Sequence, residues 1–371
     1  MTIGVDIRVL ANEKDGGVYE YASQLLSHMV ALDSSILFKL FYSSFRVPAP
    51  SFEWMKKGNV SLHAHRISNS ALFLASYFQQ PKADLLIGGV DVFFSPHILS
   101  IALSPHCPRT VTFHDLSYER FPEFFSWRRR LWNKAMGPKS QAQKAKAIIA
   151  VSESTKRDLE NIYRIPSSKI SVIHSGVGGP EIDKKEIADL PAKYILALST
   201  LEPRKNISGV IKAFEILKED PALAEYHLVI VGPSGWLYES ILDQITHSPQ
   251  KNSIHCQGFA SKEKSLYYQN ASCLVYPSFF EGFGFPPLEA MAHGVPAIVG
   301  LNSSMPEVVG QGGMAVNPYS PKMIAQAVAS ILRDPAFHKV LKTKAEYQAQ
   351  KFSWPQAAEK TLELLLKTST E

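Results

Sequence analysis

Residues 277–289 read P-S-F-F-E-G-F-G-F-P-P-L-E, from Pro277 to Glu289. A short apolar run, Cys273 to Tyr276, precedes them and has the character of a strand buried on both faces. Pro286 and Pro287 suit the first turn of a helix, where a missing N–H has no intrahelical partner to lose. That helix continues through Leu288, Glu289, Ala290 and Met291 and stops at Gly294; a second strand, Pro296 to Val299, follows at once. Strand, glycine-bearing loop, helix and strand make the repeating unit of an open α/β sheet. In such sheets ligands bind at the carboxyl ends of the strands.

The loop carries two carboxylates of different character. Glu281 lies in the loop itself, followed by Gly282 and Gly284, which let a ligand come close to the backbone. Glu289 is expected in the first helical turn, beside free N–H groups that favour anions. N–H groups for phosphate, with carboxylates for vicinal hydroxyls, are what a nucleotide sugar requires. Taken alone, Glu289 reads more simply as a surface residue complementing the helix dipole. Glu281, between Phe280 and Gly282, needs a partner for its charge.

At these residues the chain resembles the retaining glycosyltransferases of the GT-B fold, family 4. Glu281 and Glu289, with seven residues between them, match the E-x7-E pattern, and the surrounding F-E-G-F-G-x-P-x-L-E-A-M-A-x-G-x-P is similar across that family. The resemblance implies that Glu281 meets donor-sugar hydroxyls and Glu289 the ribose. It also places Gly282, Phe283 and Gly284 among the donor-binding residues.

At 371 residues the chain is long enough for two domains, and 45% hydrophobic with 20% charged residues is ordinary for a globular protein. A net charge of +5 suits phosphorylated or anionic-surface partners and does not by itself indicate nucleic acid. Cys107, Cys256 and Cys273 are far apart and odd in number, so neither a disulfide framework nor a C-x-x-C site is suggested. His63 and His65 form the nearest thing to a metal-ligand pair and read as solvated surface histidines. No D-x-D segment occurs, so no metal is expected. The N-terminus opens on a strand-like segment rather than a signal peptide, and no apolar run approaches the ~18 residues of a membrane span. A cytoplasmic protein is expected.

Along the first half, Thr2 to Leu10 predicts a strand, and Ala11 to Gly17 a polar loop ending in Gly16-Gly17. Val18 to Leu32 predicts a helix. A glycine pair between strand and helix is a tight turn or an anion site; the resemblance places Gly17 against the donor diphosphate. Ile36 to Tyr42, Asp84 to Ile87, Val92 to Ser95 and Thr110 to Phe113 read as further strands, with a helix near 70–78. The last strand ends at His114-Asp115, where a site residue belongs, although a lone histidine is as readily a structural hydrogen-bonder. The family has a matching H-D segment, which implies that His114 lies near the reacting carbon. Trp127 to Lys146 is basic and aromatic with no acidic residue, a pattern that suits either a solvated helix face or an anionic membrane surface. Ala147 to Val151 and Ile170 to Ile173 are strands around a helix at 153–163, for which Ser152 is the N-cap. The chain then turns charged and aperiodic, as linkers do.

The second half repeats the logic. Tyr194 to Leu198 is a strand, followed by S-T-L-E-P-R-K-N and a helix from about Asn206 to Lys218. Arg204 and Lys205 thus precede a helix N-terminus at a strand exit, an address for a diphosphate. E-P-R-K also resembles the family's phosphate-gripping segment, but Ser199 or Thr200 stands where many members carry an arginine, which implies a larger share for Arg204. His227 to Val231 and Ser253 to Gln257 are strands; the resemblance places Gly258 and Phe259 beside the nucleotide base. Phe352 to Lys367 is amphipathic, and in this fold such a helix braces the first domain.

The expected fold is α/β, two doubly wound Rossmann-like domains facing across a cleft in the GT-B manner. Residues 1–178 form the acceptor-side domain, joined by helix 352–371; 179–191 form the linker and 192–351 the nucleotide-sugar domain. The implied reaction is retaining, metal-independent transfer of a sugar from a GDP- or UDP-linked donor, with a weak lean to GDP-mannose, to a saccharide or lipid-linked acceptor. Its catalytic set is His114, Arg204, Lys205 and Glu281. A nucleotide-sugar epimerase of the same fold and a non-catalytic binding module are the alternatives; a labelled donor distinguishes them by its products.

Overall fold

The computed structural model describes residues 1–11, 16–179, 190–258 and 264–370. The chain divides into two compact units: Met1–Gly176 with Ser353–Glu371, and Val177–Phe352. Residues 180–189, most of the expected linker, lie outside the described residues.

The first unit is built on seven strands: β1 (Thr2–Asp6), β2 (Leu37–Ser43), β3 (Val60–His65), β4 (Val92–Ser95), β5 (Arg109–Phe113), β6 (Ala147–Ala150) and β7 (Ile170–Val172). All pair in parallel, in the order β3-β2-β1-β4-β5-β6-β7. Helices on both faces explain why β4 and β6 are buried along their whole length and read as unbroken apolar runs. Strand order reverses between β1 and β4, the kind of point at which open parallel sheets take ligands at their carboxyl edge.

Some expectations for this unit are corrected. The first strand ends at Asp6, because the Arg8 side chain turns back to make a two-pronged ion pair with the buried Asp6 carboxylate. Asp84 to Ile87 is not a strand; Ala83–Leu86 is one helical turn, ended by Gly88 and Gly89 at φ +73° and +74°. A four-residue apolar run does not by itself separate a turn of helix from a strand. Gly16 and Gly17 open the helix Gly16–Leu32 instead of closing a loop. β3, on the sheet edge, has no unbroken apolar run: Val60, Leu62 and Ala64 alternate with Ser61, His63 and His65. His63 and His65 lie on it, half-buried rather than fully solvated, with the His65 ring against Phe41.

The second unit has six parallel strands: β8 (Tyr194–Leu198), β9 (His227–Val231), β10 (Ile254–Gln257), β11 (Cys273–Tyr276), β12 (Ala297–Gly300) and β13 (Gly313–Val316). Their order is β10-β9-β8-β11-β12-β13, which reverses between β8 and β11. Ile195, Ile230 and Val275 from the sheet meet Val210 and Phe214 of helix Ile207–Leu217 and Ile324 and Val328 of helix Pro321–Arg333. Each such side chain contributes about 1.5–3 kcal/mol on burial.

The C-terminal helix Trp354–Thr370 belongs to the first unit and packs along the helix Gly16–Leu32, with Trp354 3% exposed and its ring 6.2 Å from that of Tyr21. Gly176 makes this possible: a Cβ there would lie 2.1 Å from the Trp354 backbone nitrogen. Gly176→Ala is therefore expected to destabilise the protein by about 1–3 kcal/mol in chemical denaturation. Gly58→Ala, with open space around the added carbon, is the neutral control.

Candidate functional site

The second unit's strand-order reversal sets the site. The chain leaves β8 and reaches the turn Pro203–Lys205; it leaves β11 and enters the loop 277–284. Because β8 and β11 are neighbours, Arg204, Lys205 and Glu281 come together at the carboxyl edge. Asn206 locks the two loops. It takes φ +57°, caps the helix Ile207–Leu217 through Gly209 N–H at 3.2 Å, and donates its side-chain amide to Pro277 O and Pro318 O.

Glu281, 7% exposed, holds two cations. Arg204 Nη1 donates to its Oε2 at 3.0 Å and Lys205 Nζ to its Oε1 at 2.6 Å. Arg204 also donates to Phe280 O at 2.6 Å and to Oε1 of the buried Glu202. Tyr276 bridges the pair, its hydroxyl 2.8 Å from Lys205 Nζ and 3.0 Å from Glu281 Oε1. Ser303 Oγ accepts from the Glu281 N–H at 3.0 Å, and Ser304 Oγ donates to the carbonyls of Glu281 and Phe283. Two positive and two negative side chains balance, as a largely dry site requires.

Burial alone would raise the Glu281 pKa; the Arg204 and Lys205 charges, with the Lys205 hydrogen bond, bring it down to about 2. Burial lowers the Lys205 pKa, aided by the Arg204 charge and opposed by Glu281 and Glu202. Burial and the Glu281 charge push the Tyr276 hydroxyl well above its ordinary range, so it stays a donor.

Gly282, Phe283 and Gly284 are buried beside this cluster. Gly284 caps the helix Phe285–Ala292 at φ +111°, and a Cβ there would meet Met305 Cε at 2.2 Å. Phe283 packs its ring against Phe285 and Phe352. Glu289 is corrected: Phe285 opens the helix, so Glu289 is its fifth residue, beyond the first-turn N–H groups. It is nearly buried and is held instead by Lys264 Nζ and, at 2.7 Å, by the Tyr268 hydroxyl. Gly258 is exposed; Phe259 lies outside the described residues.

Gly17 and His114 belong to the first unit. Gly17 is exposed in the first turn of its helix. His114 follows β5, half-buried, with Nε2 2.9 Å from Pro96 O. A carbonyl only accepts, so Nε2 donates and Nδ1 is the free lone pair of the neutral ring. Burial lowers the His114 pKa, which favours that neutral form. Asp115 turns away and accepts from Ser117 N and Oγ. Among the described residues no group of three or more His, Cys, Asp or Glu side chains is placed to hold a metal.

Sequence reasoning did not single out Glu202, Tyr276, Lys264, Tyr268 or Ser303 for the site. Tyr276 had one available signal, a hydroxyl at the carboxyl end of the strand preceding the loop. The others become partners only through folding.

Two parallel sheets that each reverse their strand order are the architecture expected of the GT-B fold. Residues 179–349 match the family model of glycosyl transferases group 1, and residues 5–178 that of glycosyltransferase family 4. The chain belongs to this glycosyltransferase family. It is 27% identical to O-antigen chain mannosyltransferase B of Escherichia coli over 93% of this chain and 94% of that one. It is 30% identical to O-antigen chain mannosyltransferase RfbU of Salmonella typhimurium over 60% of each. Among solved structures, sucrose-phosphate synthase from Thermosynechococcus elongatus superposes with a TM-score of 0.78 at 20% identity, covering 99% and 98% of the two chains. Anabaena HepE, solved with UDP and glucose, superposes with a TM-score of 0.72 at 17% identity, covering 99% and 100%. At those identities the superpositions speak for the fold.

The depressed Glu281 pKa has a signed consequence. Its ionised form stabilises the folded state at pH values above the unfolded carboxyl pKa near 4.5, and the contribution is lost as pH falls toward about 2. The stability difference between wild type and Glu281→Gln is expected to be constant from pH 7 to ~5 and to shrink by about 3 kcal/mol in total below that. Urea denaturation of both proteins across this range measures it.

Proposed function

We propose that the chain is a retaining, metal-independent glycosyltransferase that moves a sugar from a nucleotide donor to an acceptor hydroxyl. The observation that carries the reading is the Arg204–Lys205–Glu281 cluster at the strand-order reversal of the second unit. In the resting site, Glu202 and Glu281 already neutralise the two cations. A donor diphosphate takes over Arg204 and Lys205, and the released Glu281 carboxylate accepts bonds from the donor sugar's hydroxyls. As the bond from anomeric carbon to phosphate oxygen breaks, Arg204 and Lys205 stabilise the negative charge gathering on the diphosphate. The acceptor oxygen bonds to the same face of the anomeric carbon, and its proton passes to the departing phosphate oxygen. Glu289, held by Lys264 and Tyr268, is the carboxylate for the ribose. His114, with its Nδ1 lone pair free, accepts a bond from a sugar hydroxyl.

Mannose is the sugar that the names of the two mannosyltransferase relatives support, O-antigen assembly is the polysaccharide setting those names give, and we take GDP as the carrier of the mannose. A cytoplasmic location suits three free thiols, which a reducing compartment preserves. No helix among the described residues is long and apolar enough to cross a membrane.

A peripheral contact with an anionic membrane completes the reading. The helix Trp127–Ala135 carries Arg128, Arg129, Arg130 and Lys134, no acidic residue and no buried one. Trp127, Leu131 and Trp132 are 49–61% exposed, so they do not serve as a core face. The neighbouring helix Asn69–Tyr77 adds exposed Leu74, Tyr77 and, just beyond it, Phe78. Phe73 packs on Trp132 at 5.7 Å, and Tyr77 donates to Ala135 O, which joins the two helices in one patch. Exposed aromatics among cations suit the headgroup level of an anionic bilayer, and each engaged basic residue contributes about 1 kcal/mol.

Arg204→Ala and Lys205→Ala are each expected to lower kcat by about 10²-fold or more in a donor-turnover assay while leaving the thermal transition cooperative. Near-normal turnover in both variants defeats the reading. Activity is expected to survive a strong chelator; complete loss restored by manganese or magnesium contradicts metal independence. Co-sedimentation with anionic liposomes is expected at low salt. It should fall with added salt and when Arg128, Arg129 and Arg130 become Gln together.

A further inference from the structure

The buried stripe of the helix Gly16–Leu32 is Tyr21, Ala22, Leu25, Leu26, Met29 and Val30, spaced as one face of a helix. Tyr21 is the only member with a side-chain hydroxyl, and it is 1% exposed. That hydroxyl lies 3.2 Å from Thr112 Oγ1 of β5. Its ring lies 4.8 Å from the His114 ring, edge to face at 87°. Thr112 precedes His114 by two residues, the spacing that puts side chains on one side of an extended chain. One side chain thus spans the exit of β5, fastened at its tip to Thr112 and packed along its flank on the histidine.

The other neighbours complete the setting. His114 Nε2 donates to Pro96 O at 2.9 Å, and the His114 carbonyl accepts from Thr155 Oγ1 at 3.0 Å, which fixes the backbone. The His97 ring approaches to 5.5 Å. Trp354 of the C-terminal helix packs on Tyr21 in turn, ring to ring at 6.2 Å. A neutral histidine has two tautomers, and the hydrogen bond made by one nitrogen decides what the other can do. Pro96 O supplies that bond; Tyr21 supplies the packing that keeps the ring turned toward it. The tyrosine itself exchanges no proton, because burial raises its pKa. Burial is the largest influence on the His114 pKa and lowers it, against the Pro96 hydrogen bond and the Asp115 charge. The Tyr21 ring provides part of that burial.

We propose that Tyr21 is a positioning residue for sugar transfer: pinned by Thr112, its ring holds the His114 imidazole so that Nε2 stays on Pro96 O and Nδ1 stays open to a sugar hydroxyl. This rests on the reading of His114 as a hydroxyl acceptor and names the side chain that sets it. The competing account makes Tyr21 a core residue whose loss loosens the C-terminal helix and nothing more specific. The two differ in whether the effect passes through His114.

Protein labelled with 15N-histidine carries 12 labelled rings, and His114→Gln assigns that of His114. In the wild type the two His114 nitrogens are expected to report one neutral tautomer, with the proton on Nε2. Tyr21→Leu should move them toward the average of two tautomers and raise the pH at which the ring titrates toward about 6.5. Tyr21→Phe, which keeps the ring, should leave both unchanged. In donor turnover, Tyr21→Leu should lower kcat about tenfold or more while the donor KM changes less than about twofold, and Tyr21→Phe should recover most of the loss. Added to His114→Ala, Tyr21→Leu should lower kcat less than about twofold further, because a residue that acts through another has no effect once the other is gone. Should Tyr21→Leu lose its cooperative thermal transition, Tyr21→Met, a flexible filler of the same space, takes its place in each measurement. A His114 tautomer and titration unmoved by loss of the ring, or an equal loss of kcat with and without His114, overturns the proposal. Near-normal turnover of His114→Ala is a separate result, which defeats the role of His114 and this assignment with it.

Discussion

One buried carboxylate holds two cations in the second unit, and the local architecture follows from that constraint. Glu281 cannot be ionised in an apolar loop without partners, and Arg204 and Lys205 cannot be buried without an anion. The strand order brings the exits of β8 and β11 side by side, and Asn206 ties one loop to the other. Ser303 and Ser304 fix the Glu281 backbone from the far side. Removing one member of such a set costs about 3–5 kcal/mol, because it leaves an uncompensated buried charge. The arrangement is therefore stiff, yet the carboxylate partners of the two cations are ones that phosphate oxygens replace well.

The same physics places the first unit's polar residues. Its sheet also reverses strand order, and His97 and His114 stand at the exits of β4 and β5. Burial keeps both rings neutral, which makes them hydrogen-bonding groups rather than charges. A neutral, hydroxyl-rich ligand suits such a surface. The second unit, with its displaceable ion pairs, suits a charged one.

Much of this was legible in the chain. Unbroken apolar runs located most of the strands, because parallel strands covered on both faces have no polar side to show. The sequence pointed to Arg204, Lys205 and Glu281 because charges at strand exits have few structural uses. β3 escaped because an edge strand with exposed side chains lacks that signal. Asp84 to Ile87 misled because one helical turn and a short strand share a composition. Glu289 was placed one turn too early because the helix starts at Phe285, ahead of the proline pair. Tyr276 and Glu202 acquire their roles only from three-dimensional neighbours, which no local pattern records.

The central claim is that Glu281 and the donor diphosphate compete for the same two cations. Calorimetric titration of the wild type and of Glu281→Gln with the bare nucleoside diphosphate tests this most directly. If the competition is real, removing the Glu281 charge frees Arg204 and Lys205, and the variant binds the diphosphate about tenfold or more tightly while turning over donor more slowly. Weaker diphosphate binding by Glu281→Gln would contradict the account, because it would show that the carboxylate organises the cations for phosphate rather than yielding them to it.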